Sequence, residues 1–106
     1  MNSMGQARLR ALSATEVVTR LSELNGAAPQ GWKLIDGALE KTFSFADFHR
    51  TMAFANALAF VAHQQDHHPE LRLSYGQCTV RWNTHDVNGI SAKDFLCATQ
   101  VDALKA

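Results

Sequence analysis

The chain has 106 residues, 46% of them hydrophobic, and ten Lys plus Arg against ten Asp plus Glu leave a formal net charge of zero. This is enough for one core and too little for two. With no run of basic residues there is no electrostatic track for direct nucleic-acid binding, and no window approaches the roughly 20 apolar residues that a membrane-crossing helix needs.

The opening segment MNSMGQARLR lacks the apolar stretch of a secretory leader, so the expected setting is cytoplasmic. Cys78 and Cys97 lie outside any CxxC pair and are expected to be reduced thiols. Residues 1–12 read as a flexible N-terminal arm and residues 13–106 as a single domain.

The first predicted element is a helix from Ala14 to Leu24. Ser13 and Glu16 have the spacing of a capping box, Val17, Leu21 and Leu24 share one face, and Asn25-Gly26 is a stop signal. Strands follow at Trp32 to Ile35 and Leu39 to Phe43 around Asp36-Gly37, a pair that tolerates the positive backbone angles of a tight hairpin.

Ser44 and Asp47 repeat the capping spacing and open the longest element, a helix from Phe45 to Gln65. Phe48, Met52, Ala55, Leu58, Ala59 and Ala62 form one apolar stripe, and Phe54, Ala57, Phe60 and Val61 widen it beyond what one sheet face covers. The surplus predicts a second covering surface, either the other helices or a partner subunit, and an apolar surplus on a small chain favours the partner. His49, Asn56 and His63 recur every seven residues as a polar line directed at His67.

Leu71 to Tyr75 and Cys78 to Trp82 alternate as a second hairpin, and Ser91 with Asp94 opens a last helix from Ala92 to Leu104. The order α-β-β-α-β-β-α with short connections predicts an α+β fold: a four-stranded antiparallel sheet with helices packed on one face.

Four of the five histidines, His63, His67, His68 and His85, fall within a span that also holds Pro69, Tyr75 and Asp94. Groups that exchange protons near neutrality are thereby concentrated in one region. Pro69 forbids helix continuation and biases His68 towards an extended conformation, which holds the histidine pair where the long helix turns into the third strand. If the last two strands pair, His85 comes to the same end as His67.

The run HQQDHHPELRLSYGQCTVRWNTHDVNGISAKDF resembles the pterin-4a-carbinolamine dehydratases, whose pattern is a polar residue, three positions, His-His-Pro, an aromatic, then His and Asp. Here these are His63, His67, His68, Pro69, Tyr75, His85 and Asp94. GWKL around Trp32, FSFADF from Phe43 to Phe48 and the closing VDAL agree, so the resemblance spans about Ser13 to Leu104.

The resemblance implies a hydro-lyase that removes water from 4a-hydroxytetrahydropterin to give quinonoid dihydropterin, with no metal and no cofactor of its own. It implies His67 and His85 as the acid-base pair, with either one able to be the acid. His68, Trp32 and Pro69 would bind substrate, with Trp32 as an aromatic wall, and His63, Asp94 and Tyr75 would support the site. It further implies a homodimer or homotetramer formed through the 45–65 helix and the sheet edge, and a functional link to an aromatic amino acid hydroxylase. Many relatives carry Glu at the position of His63, so the charge balance of this site is expected to differ from theirs.

These residues also have structural accounts. His63 and His67 suit a helix C-terminus, Asp94 suits a capping box opened by Ser91, Tyr75 and Trp82 suit a core or rim, and His49 suits a solvated helix face. Two other functional accounts compete with the enzyme. His63 and His67, four apart, could join His85 in a three-histidine zinc site. Some members of the resembled family act as dimerisation cofactors of a transcription factor, and the apolar face of the long helix suits such a non-catalytic interaction role.

Overall fold

The computed structural model describes residues 9–28 and 30–105. Their elements are α1 (Ala14–Asn25), β1 (Lys33–Ile35), β2 (Ala38–Ser44), α2 (Phe48–Gln65), β3 (Glu70–Leu73), β4 (Gln77–Trp82), a single 3₁₀ turn (His85–Val87) and α3 (Ala92–Lys105). Of the expected arm, residues 1–8 lie outside the described residues, while the Leu12 backbone N–H donates to Ile90 at 2.7 Å.

Local signals account for the first three elements. The Ser13 hydroxyl accepts from the Glu16 N–H and the Glu16 carboxylate accepts from the Ser13 N–H, closing the expected capping box. Both carboxylate oxygens also accept from Arg10, which holds the Glu16 carboxyl at about 2, well below the usual carboxylate range. Asp36 and Gly37 adopt φ of 49° and 79°, the mirror-image turn whose twist matches the flanking strands.

At the next boundary the structure corrects the sequence reading. Asp47, not Ser44, caps α2 by accepting from the Arg50 N–H, so the helix begins at Phe48 rather than Phe45. The reason is non-local: Ser44 is the last rung of β2, paired with Gln77, and the Phe45 N–H is taken by Gly76.

All four strands are antiparallel, in the order β1-β2-β4-β3. Leu39 and Phe43 of β2 and Cys78, Val80 and Trp82 of β4 are buried on one face. Thr51, Phe54, Ala55, Leu58, Val61 and Ala62 of α2 and Phe95, Cys97, Ala98 and Val101 of α3 are buried as well, and both helices pack on β4 and on each other. The opposite face is polar, with Thr42 hydrogen-bonded to Thr79 and Arg81 paired with Glu40 and Glu70. The alternation predicted for β4 is thus realised.

The expected stripe on α2 is only partly the core face. Phe48 and Phe60 are 49% and 63% exposed, and His49, Asn56 and His63 are exposed beside them. The helix is apolar nearly all round, so periodicity alone did not select the buried side. Tyr75 is also displaced from its predicted strand. It sits in the β3–β4 turn, 69% exposed, and its carbonyl accepts from the Thr51 hydroxyl.

Cys78 and Cys97 are free and buried. Burial pushes both thiols up, and Cys97, with Asp94 adding to the effect, reaches about 11. Thiols held protonated in the fold contribute stability that is intact below their ordinary value near 9.0 and is lost as pH rises towards the folded value. The unfolding free energy is therefore expected to fall between pH 9 and 11, and more steeply in the wild type than in Cys97→Ala. Denaturant titrations across that range check this, and equal slopes for the two chains would contradict it.

Candidate active site

The site is built where α2 stops. Asp66 adopts the left-handed conformation, its N–H bonding back to Ala62 and His63, and the His67 N–H reaches the Ala62 carbonyl at 3.1 Å. This helix-ending pair of bonds fixes the backbone of His67. Pro69 then prevents any return to helix, and the Lys93 ammonium of α3 holds the Gln65 carbonyl at 3.0 Å.

The His67 ring is only 11% exposed. One face stacks on Trp82, with centroids 5.5 Å apart and planes 5° from parallel. Its Nε2 lies 2.6 Å from Oδ1 of Asp94, a carboxylate with no exposed surface. A carboxylate only accepts, so Nε2 carries the proton and Nδ1 is left as the acceptor nitrogen of the neutral ring.

Asp94 is held from its other oxygen. Oδ2 accepts from the Ser91 backbone N–H at 2.9 Å and from the Thr84 hydroxyl at 2.7 Å. The carboxylate therefore reaches back to the residue before α3 as a capping box predicts, while the Ser91 hydroxyl turns instead to Thr84 at 2.6 Å. Capping and orientation of His67 coexist in one carboxylate.

His85 arrives from β4. Its loop is closed by paired backbone bonds between Thr84 and Gly89 and turned by Asn88 at φ 53°. His67, His68 and His85 line one cleft of about 380 Å³, together with Asn83, Thr84 and Lys93. That volume is within the ~300–1,000 Å³ of small-molecule sites. His68 and His85 are exposed, so they face this cleft from the solvent side while His67 is held within the wall.

Other candidate residues lie elsewhere. Trp32 is 2% exposed in the core, its Nε1 donating to both oxygens of Asp102 at 3.1 Å and its ring edge-on to Phe43. It is not among the residues lining the cleft. Tyr75 stands at the opposite end of the β3–β4 hairpin. Pro69 shapes the approach to β3 without lining the cleft, and His63 lies on the exposed face of α2. Among the described residues, no three His, Cys, Asp or Glu side chains are placed to share a metal ion, so His63, His67 and His85 do not converge on one.

Thr84, Asn83 and Lys93 were not singled out from the sequence. The available signal was the position of Thr84, directly before a candidate histidine and seven residues before Ser91. Only the fold brings the two hydroxyls and the carboxylate together.

Comparison with known proteins gives the family of the chain. A relative from Paracidovorax citrulli, named "Putative pterin-4-alpha-carbinolamine dehydratase", is 54% identical over 100 residues, covering 92% of this chain and 83% of its own. One of the same name from Stenotrophomonas maltophilia is 52% identical over 87 residues, covering 80% and 74%. The crystal structure of a "transcriptional coactivator/pterin dehydratase" from Brucella melitensis superposes with a TM-score of 0.83 at 29% identity, over 92% of this chain and all of that one. A pterin dehydratase-like protein described as a RuBisCO assembly factor superposes at 0.62 with 23% identity, over 72% and 90%, a likeness of fold alone. Residues 10–104 match the family Pterin 4 alpha carbinolamine dehydratase, and the chain belongs to that family.

Proposed function

We propose that the chain dehydrates a 4a-hydroxytetrahydropterin to quinonoid dihydropterin by histidine acid-base catalysis, recycling a pterin cofactor. The observation that carries this reading is the His67–Asp94 pair, bonded at 2.6 Å in the wall of a cleft that His68 and His85 also line.

The reaction needs two proton transfers. The C–O bond of the carbinolamine breaks and its electron pair leaves with the hydroxyl, which takes up a proton and departs as water. The lone pair of the nitrogen on the same carbon closes a C=N bond, and the ring system gives up one proton. Imidazoles serve both transfers near neutrality, so the reading requires neither metal nor cofactor. In it, Nδ1 of His67 and the ring of His85 are the two proton-exchanging groups, in either order, and His68 orients the heterocycle. Asp94 acts only through His67, as a positioning residue.

The expected result is that purified protein accelerates dehydration of 4a-hydroxytetrahydropterin far above the spontaneous rate. A rate equal to the spontaneous one would contradict the reading. The reading also expects a cytoplasmic setting and an aromatic amino acid hydroxylase upstream to supply the carbinolamine.

A homo-oligomer belongs to the same reading, supported by the exposed Phe48 and Phe60 of α2. Sedimentation equilibrium at micromolar concentration is expected to give a mass above one chain, and a single-chain mass would contradict it. The name of the Brucella melitensis relative favours a second reading, an interaction role of the coactivator kind. A chain with that role alone has no chemical need for His67, His68 and His85, and inactive wild-type protein would favour it.

A further inference from the structure

Thr84 belongs to both halves of the candidate acid-base pair. Its backbone N–H donates to Gly89 at 2.8 Å and closes the loop that begins with His85. Its side chain, in a residue 3% exposed, is 2.7 Å from Oδ2 of Asp94 and 2.6 Å from the Ser91 hydroxyl.

The direction of each proton follows from valence. A carboxylate only accepts, so the single hydroxyl proton of Thr84 goes to Asp94, and Ser91 must then donate to Thr84. The result is a one-way chain from the Ser91 hydroxyl to Thr84, to Asp94 Oδ2, with Oδ1 of the same carboxylate accepting Nε2–H of His67. Two donors on Oδ2 leave that oxygen committed and turn Oδ1 towards the ring.

We infer that Thr84 is a positioning residue which, through its hydroxyl, locks the Asp94 carboxylate and thereby holds His67 in the Nε2–H tautomer with Nδ1 available to the substrate. This rests on the dehydratase reading for its consequence in catalysis, but not for its consequence in the tautomer. A hydroxyl is required because a methyl in its place neither donates to Oδ2 nor accepts from Ser91. The carboxylate then has one fixed donor on that side and is free to turn its oxygens out of line with Nε2, and once Nε2–H loses that acceptor the Nδ1–H tautomer becomes accessible as well.

The test compares wild type, Thr84→Val and Thr84→Ser. The first readout is the long-range ¹H–¹⁵N correlation of the histidine rings at pH 8.5, taken without substrate. The second is kcat and KM for 4a-hydroxytetrahydropterin. Wild type and Thr84→Ser are expected to show His67 as one tautomer, Nε2–H, with kcat equal within about twofold, because serine restores the donor. Thr84→Val is expected to show both tautomers and a kcat lower by roughly 10- to 100-fold, with KM changed less than about threefold, as for loss of an interaction that acts on the chemical step. A single Nε2–H tautomer in Thr84→Val, or a Thr84→Ser chain as impaired as the valine one, would overturn the inference. If Thr84→Val does not fold, Thr84→Ala carries the test: a visible second tautomer supports the lock by the Thr84 hydroxyl, and a single Nε2–H tautomer overturns it. Absence of turnover in the wild type would remove the dehydratase reading and leave the tautomer result to decide the role of Thr84.

Discussion

Replacing Asp94 by alanine is expected to cost the fold about 3–5 kcal/mol and to abolish turnover. The carboxylate is fully buried and accepts from three groups, His67 Nε2, the Thr84 hydroxyl and the Ser91 N–H. Its removal leaves His67 Nε2–H and the Ser91 N–H without their acceptor, while the Thr84 hydroxyl keeps the Ser91 hydroxyl as a partner, and each buried donor left without a partner costs about 1–3 kcal/mol. Against a total stability of roughly 5–15 kcal/mol for a domain of this kind, that is enough to lower the denaturation midpoint sharply.

Asp94→Asn separates stability from chemistry. The amide keeps the volume but replaces one acceptor by a donor, which must face Nε2–H of His67 or the two donors on the other side. If the amide nitrogen faces His67, the ring relieves the clash by moving its proton to Nδ1, which leaves the wrong nitrogen for proton exchange. A loss of roughly 10²- to 10⁴-fold in kcat with little change in KM is expected, the scale of one general acid-base contribution. Steady-state kinetics with circular dichroism on the same preparation check this. A folded Asn variant with wild-type kcat would show that the His67–Asp94 bond is only structural.

Trp82→Ala has the largest expected effect on the core. The side chain has no exposed surface, ends β4 opposite Leu39 and provides the face on which His67 stacks. Truncating a buried tryptophan costs about 3–5 kcal/mol, or roughly 4–8 °C of Tm per kcal/mol for a chain of this size. Trp82→Phe is expected to cost about 1–2 kcal/mol. Nε1 of Trp82 has no hydrogen-bond partner among the described residues, so phenylalanine loses no bond to them and removes a buried donor whose isolation itself costs about 1–3 kcal/mol. Thermal denaturation of both variants decides this, and an alanine variant within about 1 kcal/mol of wild type would contradict the packing argument.

What was legible in the sequence was local. Ser13 and Glu16 announced the start of α1, Asp36-Gly37 announced a hairpin that takes positive φ at both residues, and Pro69 announced the end of α2. Alternation over Cys78, Val80 and Trp82 correctly placed three buried residues on one face of β4. The failures share a different cause. Ser44 had the right spacing to cap α2 but was claimed by Gln77 of β4, a partner 33 residues away in sequence. The buried side of α2 could not be chosen from a helix that is apolar nearly all round.

The site divides in the same way. The His-His-Pro run and the helix end that carries it are sequence-local, and the convergence of His85 followed from strand pairing. Nothing local joined Thr84 and Ser91 to Asp94, because each hydroxyl reads as an ordinary strand-end or cap residue until β4 and α3 are docked. Trp32 lies in the core against Asp102 and Phe43, 70 residues from its hydrogen-bond partner in sequence. Its burial was set by packing that no motif records.

The claim on which the account depends is that imidazoles from two separate segments act together on one bound pterin. The most direct test is the turnover of 4a-hydroxytetrahydropterin by wild type, His67→Ala, His85→Ala and the double variant. Each single variant is expected to lose roughly 10²- to 10⁴-fold in kcat, and the double variant to be little slower than the poorer single one, since groups that act as a unit are not additive. Wild-type turnover in His67→Ala, or single losses that multiply in full in the double variant, would contradict it.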